Sequence, residues 1–355
     1  MERNKKQFMK REKKRSMMIN LLLLFLSIII SFLIFEMVFR MIDFVDLPIY
    51  ENATWLDTHE VYKLSKNSNL VWELNPNKGD INSYGMRDYE YKSIKPNNTL
   101  RIAVLGDSIT MGAFVKKEDI YDNVLERMLN KNNNKKKYSK IDVLNFGVTG
   151  YNVFQYEETL RTKALNFNPD IVIIGFFLND FIYTPITLKK DNETLLIINY
   201  FQENLFLNNK ISWFMFGHSK FFRFVYKRLT ERFIFNEWDG RTPLYSYLLR
   251  YREEGFKSLT NIKEIADKNN IKLILILFPD FIEKRNDIPY QYSVIHSELE
   301  EFCQKNKIPY IDFLEIFEKY DLNEIYSMPH DASHPNKKGH EIIGTKLYKL
   351  LRTEI

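Results

Sequence analysis

From position 101 onward, short apolar runs alternate with segments whose apolar residues recur at helical spacing. "RIAVLG" (101–106) is followed by helical spacing over 118–130, and "IDVLNFG" (141–147) by a helix over 152–165. "DIVIIGFF" (170–177) is apolar throughout, as strands buried on both faces are. A long helix near 245–268 precedes the strand "IKLILILF" (271–278), and a helix near 291–305 precedes the strand "PYIDF" (309–313). A final helix covers about 337–353. This alternation predicts an α/β fold: a three-layer α/β/α arrangement around a five-stranded, mostly parallel sheet. No internal repeat is present.

The N-terminal pattern is different. Residues 17–35, "MMINLLLLFLSIIISFLIF", are interrupted only by Asn20, Ser27 and Ser31, which is long enough to cross a bilayer core. A cleaved leader has a shorter apolar stretch followed by small residues, and "EMVFRMIDFVDLP" offers no such site. The plainer alternative, a buried core helix, is rarely apolar on all faces for so long. The expected organisation is a cytoplasmic basic tail (1–16), a transmembrane helix (17–39), a tether with an N-terminal extension (40–100), and the α/β domain (101–355). Lys and Arg precede the span while Asp43, Asp46 and Glu51 follow it, so the N-terminus is expected inside and the domain outside.

Charge supports this division. The formal net charge is +5, but eight of the 51 basic side chains lie in residues 1–16. Setting those aside, with Glu2 and Glu12, leaves the body of the chain close to neutral. A nucleic-acid binder would carry its basic patch on the folded body, so nucleic acid is excluded as a partner. Cys303 is the only cysteine, which rules out an intramolecular disulfide and reads as packing. Residues 181–243 break the alternation with dense Phe, Trp and Tyr among Lys220, Arg223, Lys227, Arg228 and Arg232. The plain expectation is a helical insertion with its own small core. The sharper ones are a cap over the site or a face on the membrane surface.

In open α/β sheets, sites form beyond the carboxyl ends of the strands. Three such ends are unusually polar: Gly106-Asp107-Ser108, then Asn145 to Gly150, then Asn179-Asp180. A fourth cluster, "HDASHPNKKGH" (330–340), precedes the last helix. Each has a bland explanation: Ser108 as a helix N-cap, Gly147 and Gly150 as turn glycines, Asn179-Asp180 as an Asx-turn, Asp331 as a cap. Together they supply the parts of acyl transfer. Ser108 provides the hydroxyl, His334 the base, and Asp331 its carboxylate partner. Donors to an oxyanion come from the N–H of Ser108, the N–H of Gly150 and the Asn179 amide, with Asp107, Gly147 and Asp180 in support. A metal site of His330, His334 and His340 competes poorly, because Pro335 disfavours helix through His334. No metal and no cofactor are expected.

"GDSIT" (106–110), "NFGVTG" (145–150), "LND" (178–180) and "DASHPN" (331–336) occur in the order of the SGNH (GDSL-like) hydrolases, which this chain resembles. The resemblance spans most of residues 101–355, with Ile109 standing where the GDSL pattern has Leu. It implies a flavodoxin-like sheet, Ser108 as nucleophile, Gly150 and Asn179 completing the oxyanion hole, and Asp331 and His334 finishing the triad. "NSYGMRD" (82–88) is similar to a turn ahead of the serine block in membrane-anchored members; it is assigned to structure, with Arg87 as a candidate for site support. The nucleophile elbow Gly-x-Ser-x-Gly of α/β-hydrolases is absent. The implied function is a membrane-anchored serine esterase for small acyl esters, O-acetyl in particular, on cell-envelope glycans. An O-acyltransferase and a non-catalytic carbohydrate-binding domain are the alternatives.

Overall fold

The computed structural model describes residues 2–41, 61–67, 69–132, 138–181, 187–191, 194–198, 215, 219–222, 224–225, 243–281, 290–327 and 333–352. The chain divides into two compact units, Met1–Asn52 with Lys189–Glu237, and Ala53–Leu188 with Trp238–Ile355.

The first unit begins with helix α1 (Glu2–Met41). Within its stretch Arg11–Met41 an apolar window has a mean hydropathy of 2.8 and no buried residue, and among the described residues it is the one helix long and apolar enough to cross a membrane. Glu36 interrupts the apolar surface, and its carboxylate is fully engaged. It accepts from Ser219 Oγ at 2.6 Å, from the backbone N–H groups of Lys220 and Phe221, and from Arg40 Nε at 2.7 Å. Phe221 stacks on Phe35 with ring centroids 5.0 Å apart. Part of the aromatic insertion thus rests directly on α1.

The second unit opens with a short antiparallel hairpin, β1 (Tyr62–Leu64) and β2 (Trp72–Leu74). The central sheet then uses β3 (Thr99–Gly106), β4 (Lys140–Asn145), β5 (Ile171–Phe177), and two later strands. Between them lie α2 (Ser108–Met111), α3 (Tyr121–Lys131) and α4 (Val153–Thr162). Short strands β6 (Thr187–Asp191) and β7 (Thr194–Ile198), which from Lys189 onward belong to the first unit, pair with each other where the sequence suggested a helical insertion. Then follow α5 (Pro243–Lys268), β8 (Lys272–Phe278), α6 (Ser293–Lys305), β9 (Tyr310–Asp312), α7 (Leu314–Phe317), α8 (Leu322–Ile325) and α9 (Lys337–Leu351).

All five sheet strands run parallel, in the order β4-β3-β5-β8-β9. Every residue of β3 and β5 is buried, which accounts for the unbroken apolar sequence of β5 and of β3 from Ile102 onward. One face carries Ile102, Val104, Ile141, Val143, Ile173 and Ile274 into a core shared with Tyr121, Leu125, Ile343 and Leu347 of α3 and α9. The alternate residues Ala103, Leu105, Val172 and Ile174 point the other way and are equally buried. On that side α4 packs with α5 and against β3, and α5 reaches β8. The strand order reverses direction between β3 and β5. The crevice beyond their carboxyl ends is therefore where a ligand site is expected.

At the opposite end of β3, Arg101 is wholly buried. Its guanidinium pairs with Asp142 at 3.1 Å and donates to the carbonyls of Lys92, Ser93 and Phe167. These bonds tie residues 92–93 to the sheet. Cys303 lies buried in α6, where burial pushes its thiol up to about 12.

Candidate active site

β3 ends at Gly106, and the chain turns at once into the four-residue helix α2. The N-cap of that helix is Asp107, whose Oδ1 accepts from Ile109 N at 2.9 Å. The bland reading of Ser108 as the cap is thereby corrected. The hydroxyl is released from capping, and it stands 2.9 Å from Nε2 of His334, 226 residues away. Ser108 is 8% exposed, so its surroundings are largely protein.

His334 is placed by backbone pairing. Pro335 forms an isolated bridge with Tyr326, and Ser327 N donates to the His334 carbonyl at 2.9 Å. The next residue but one, Asn336, caps α9 by accepting from Lys338 N and Gly339 N, and its amide donates to the carbonyls of Glu324 and Tyr326. The cap of the last helix is thus Asn336, where the plain reading had Asp331. Asp331 itself, like His330, lies outside the described residues. Phe114 meets the His334 ring edge to face at 5.0 Å while remaining 51% exposed.

The other predicted residues sit at the neighbouring strand ends. After β4, Phe146 N and Val148 N continue the ladder onto the carbonyls of Val104 and Gly106. Asn145 is buried and joins three pieces. Its backbone N–H donates to Asp88 Oδ2, its amide donates to the Thr110 carbonyl at 2.7 Å, and its Oδ1 accepts from Gly147 N at 2.8 Å. Tyr151 N closes a turn onto the Val148 carbonyl at 3.1 Å, with Gly150 inside it at φ +77°. After β5, Asn179 is exposed between buried Leu178 and buried Asp180, so its amide is open to a ligand. Asp180 Oδ2 accepts from Phe177 N at 2.7 Å, and burial raises its pKa well above the carboxylate range.

Three glycines let α2 lie flush on the sheet. A methyl on Gly106 would come within 2.5 Å of Thr110 Cβ, and on Gly175 within 2.5 Å of Thr110 Oγ1 and 2.7 Å of the Tyr121 hydroxyl. On Gly147 it would lie 2.7 Å from the Thr110 carbonyl carbon and closer still to the Met111 nitrogen. Gly147, which the sequence offered in support of the site or as a turn glycine, is a packing glycine under α2. Gly175 was missed because a glycine inside a strand carries no mark of what packs on it.

Burial shapes the electrostatics beneath Ser108. Burial pushes Asp107 up to about 6, although the Ile109 N–H and the nearby His334 pull it down. His340, considered above as a metal ligand, is buried beside Tyr121. Burial drives its pKa down to about 3, and its Nδ1 accepts from Tyr121 N. Among the described residues no three His, Cys, Asp or Glu side chains form a group able to hold a metal ion.

The turn "NSYGMRD" braces the site from outside the sheet. Asn82 Oδ1 accepts from the backbone of Tyr84 and Met86. Arg87 then reaches the loop following α2, donating to the carbonyls of Met111 (3.2 Å), Gly112 and Val115 (2.8 Å).

A parallel α/β sheet with a serine–histidine pair at its switch point defines a class of hydrolases. Residues 104–342 match the GDSL-like lipase/acylhydrolase family, about two thirds of the chain, and the protein belongs to that family. Its chemistry is acyl ester hydrolysis. Similar solved structures include a GDSL-like lipase from Bacteroides thetaiotaomicron (17% identity, 72% of this chain and 89% of that one, TM-score 0.39). An acetyl xylan esterase is 15% identical over 71% of this chain and all of that one, with a TM-score of 0.43. A two-domain esterase active on acetylated mannans is 17% identical over 72% of this chain and 49% of that one, with a TM-score of 0.41. No curated protein sequence matches the chain.

Proposed function

We propose that the protein is a membrane-anchored serine esterase that hydrolyses small acyl esters, acetyl in particular, carried by glycans of the cell envelope. One observation carries the catalytic part: Ser108 Oγ lies 2.9 Å from His334 Nε2, with the hydroxyl freed from capping by Asp107. In this reading His334 takes the Ser108 proton as the oxygen attacks the ester carbonyl. The negative charge that forms on the carbonyl oxygen is met by the N–H of Ser108, the N–H of Gly150 and the amide of Asn179. Asp331 steadies the imidazolium. His334 then protonates the leaving alkoxide, and water repeats the sequence to free the acid.

The anchor rests on α1: a basic tail, an apolar helix, and acidic residues beyond it. That order supports a cytoplasmic N-terminus and an exported catalytic domain, where envelope polysaccharide is the accessible ester.

The test uses the full-length chain in detergent. Wild type should release acetate from an activated acetyl ester, and a serine-reactive phosphonate should label Ser108. Ser108→Ala and His334→Ala should each bring acetate release down by roughly 10³-fold or more. Full activity in Ser108→Ala would remove that residue from the mechanism. Adding an oligosaccharide acceptor and measuring acetylated product separates transfer from hydrolysis. Glycan binding by a chain that never takes the phosphonate would mark a non-catalytic domain.

A further inference from the structure

The hairpin β1–β2 lies upstream of every block that resembles the family, yet it closes on the turn that carries Gly150. Trp72 Nε1–H donates to the Thr149 carbonyl at 3.1 Å. The Tyr62 hydroxyl donates to Thr149 Oγ1 at 3.1 Å and approaches Met111 Sδ at 3.5 Å. Tyr151 donates its hydroxyl proton to the Trp72 carbonyl, and the two rings meet edge to face at 5.5 Å. Between them, a methyl on Gly150 would stand 3.2 Å from the Trp72 ring. Residues 149, 150 and 151 are each held by the hairpin, through a carbonyl, a Cα face and a side chain.

The bond to Thr149 matters because of what shares its plane. The Thr149 carbonyl and the Gly150 N–H belong to one rigid peptide unit and point in opposite directions. That unit is the middle peptide of a four-residue turn, with φ +77° at the third position. Such a type II geometry interconverts with type I by rotating this peptide, and glycine opposes the rotation least. Rotation would turn the Gly150 N–H away from where it now points. A donor fixed on the far side of the plane, the buried indole of Trp72, holds it.

We propose that the β1–β2 hairpin is part of the catalytic apparatus, and that Trp72, assisted by Tyr62, is a positioning residue that aims the Gly150 N–H at the oxyanion. This rests on the reading of Gly150 as an oxyanion donor given above. The hairpin is itself well founded. Gln155 Nε2 donates to the Leu70 carbonyl, and Lys163 pairs with Glu73 at 2.9 Å, so helix α4 holds the hairpin that holds the turn.

Trp72→Phe in the full-length chain tests it, since phenylalanine keeps a ring against Gly150 and Tyr151 but cannot donate. The expected result is a kcat lower by about tenfold, KM within about twofold of wild type, and a matching fall in the rate of phosphonate labelling, whose P–O⁻ uses the same donors. Tyr62→Phe should give a smaller fall of the same kind. Wild-type kcat and labelling rate in both variants would overturn the proposal. So would losses that vanish once rates are divided by the folded fraction, which would make the residues merely structural. Two controls separate this from the reading it rests on. If wild type hydrolyses acetyl ester and Ser108→Ala does not, a null result in Trp72→Phe condemns the aiming of Gly150 by Trp72 and leaves the serine mechanism standing. If wild type neither hydrolyses nor labels, both readings fall together.

Discussion

Gly147→Ala puts the site's packing to the hardest use. An alanine Cβ at this position would sit 2.7 Å from the Thr110 carbonyl carbon and 2.9 Å from Thr110 Cβ, and nearest of all to the Met111 nitrogen. Restoring ordinary contact demands a separation of about 1 Å between the 145–148 segment and α2, because carbon contacts are steeply repulsive below about 3.4 Å. The segment cannot easily yield: Val148 N is bonded to the Gly106 carbonyl, and Gly147 N to Asn145 Oδ1. The shift therefore falls on α2, which carries Ser108 away from a His334 nitrogen 2.9 Å distant. Misplacement by about 1 Å costs on the order of 10²-fold in rate, while overpacking of this kind costs about 1–3 kcal/mol of stability. The expected outcome is a chain that still folds, with kcat/KM for acetyl ester hydrolysis reduced by about 10²-fold and a modestly lower Tm. Measured side by side with wild type in detergent, a Gly147→Ala enzyme within about twofold in kcat/KM would refute the packing argument.

Two further outcomes follow from buried charge. Arg101→Met strips Asp142 of its buried partner and leaves three carbonyls without their donor, so it should cost about 3–5 kcal/mol in urea unfolding; a loss below about 1 kcal/mol would show that the pair is dispensable. His340 is held neutral in the fold at a pKa of about 3, against 6.5 in the unfolded chain. Its contribution is therefore largely present above pH 6.5 and is lost as pH falls towards 3, by about 2 kcal/mol between pH 6.5 and 4.5. Unfolding titrations across that range should show His340→Leu losing less stability than wild type, and equal losses would contradict the assignment.

Much of this architecture is written locally. Unbroken apolar runs such as "DIVIIGFF" can be satisfied only by strands covered on both faces, and their alternation with amphipathic helices leaves a parallel sheet as the economical solution. Ser108 and His334 were recognisable because polar clusters at the end of β3 and ahead of α9 together supply a hydroxyl and a base, in the order of the family's blocks. What the chain alone did not reveal was which neighbour caps α2 and α9. Asp107 and Asn336 do so through their own side chains, and that choice depends on where the hydroxyl and imidazole must go. Nor did any local signal mark Gly175 or Trp72. A glycine inside a strand and a tryptophan in a short hairpin look the same whether they serve packing or a distant turn. Local residue type settles strands, helices and the reagents of the chemistry, because those obey short-range sterics and burial. The tertiary fold decides distance and direction, the 2.9 Å between two residues 226 apart and the facing of one peptide plane, because these arise from elements that meet in space without being near in sequence.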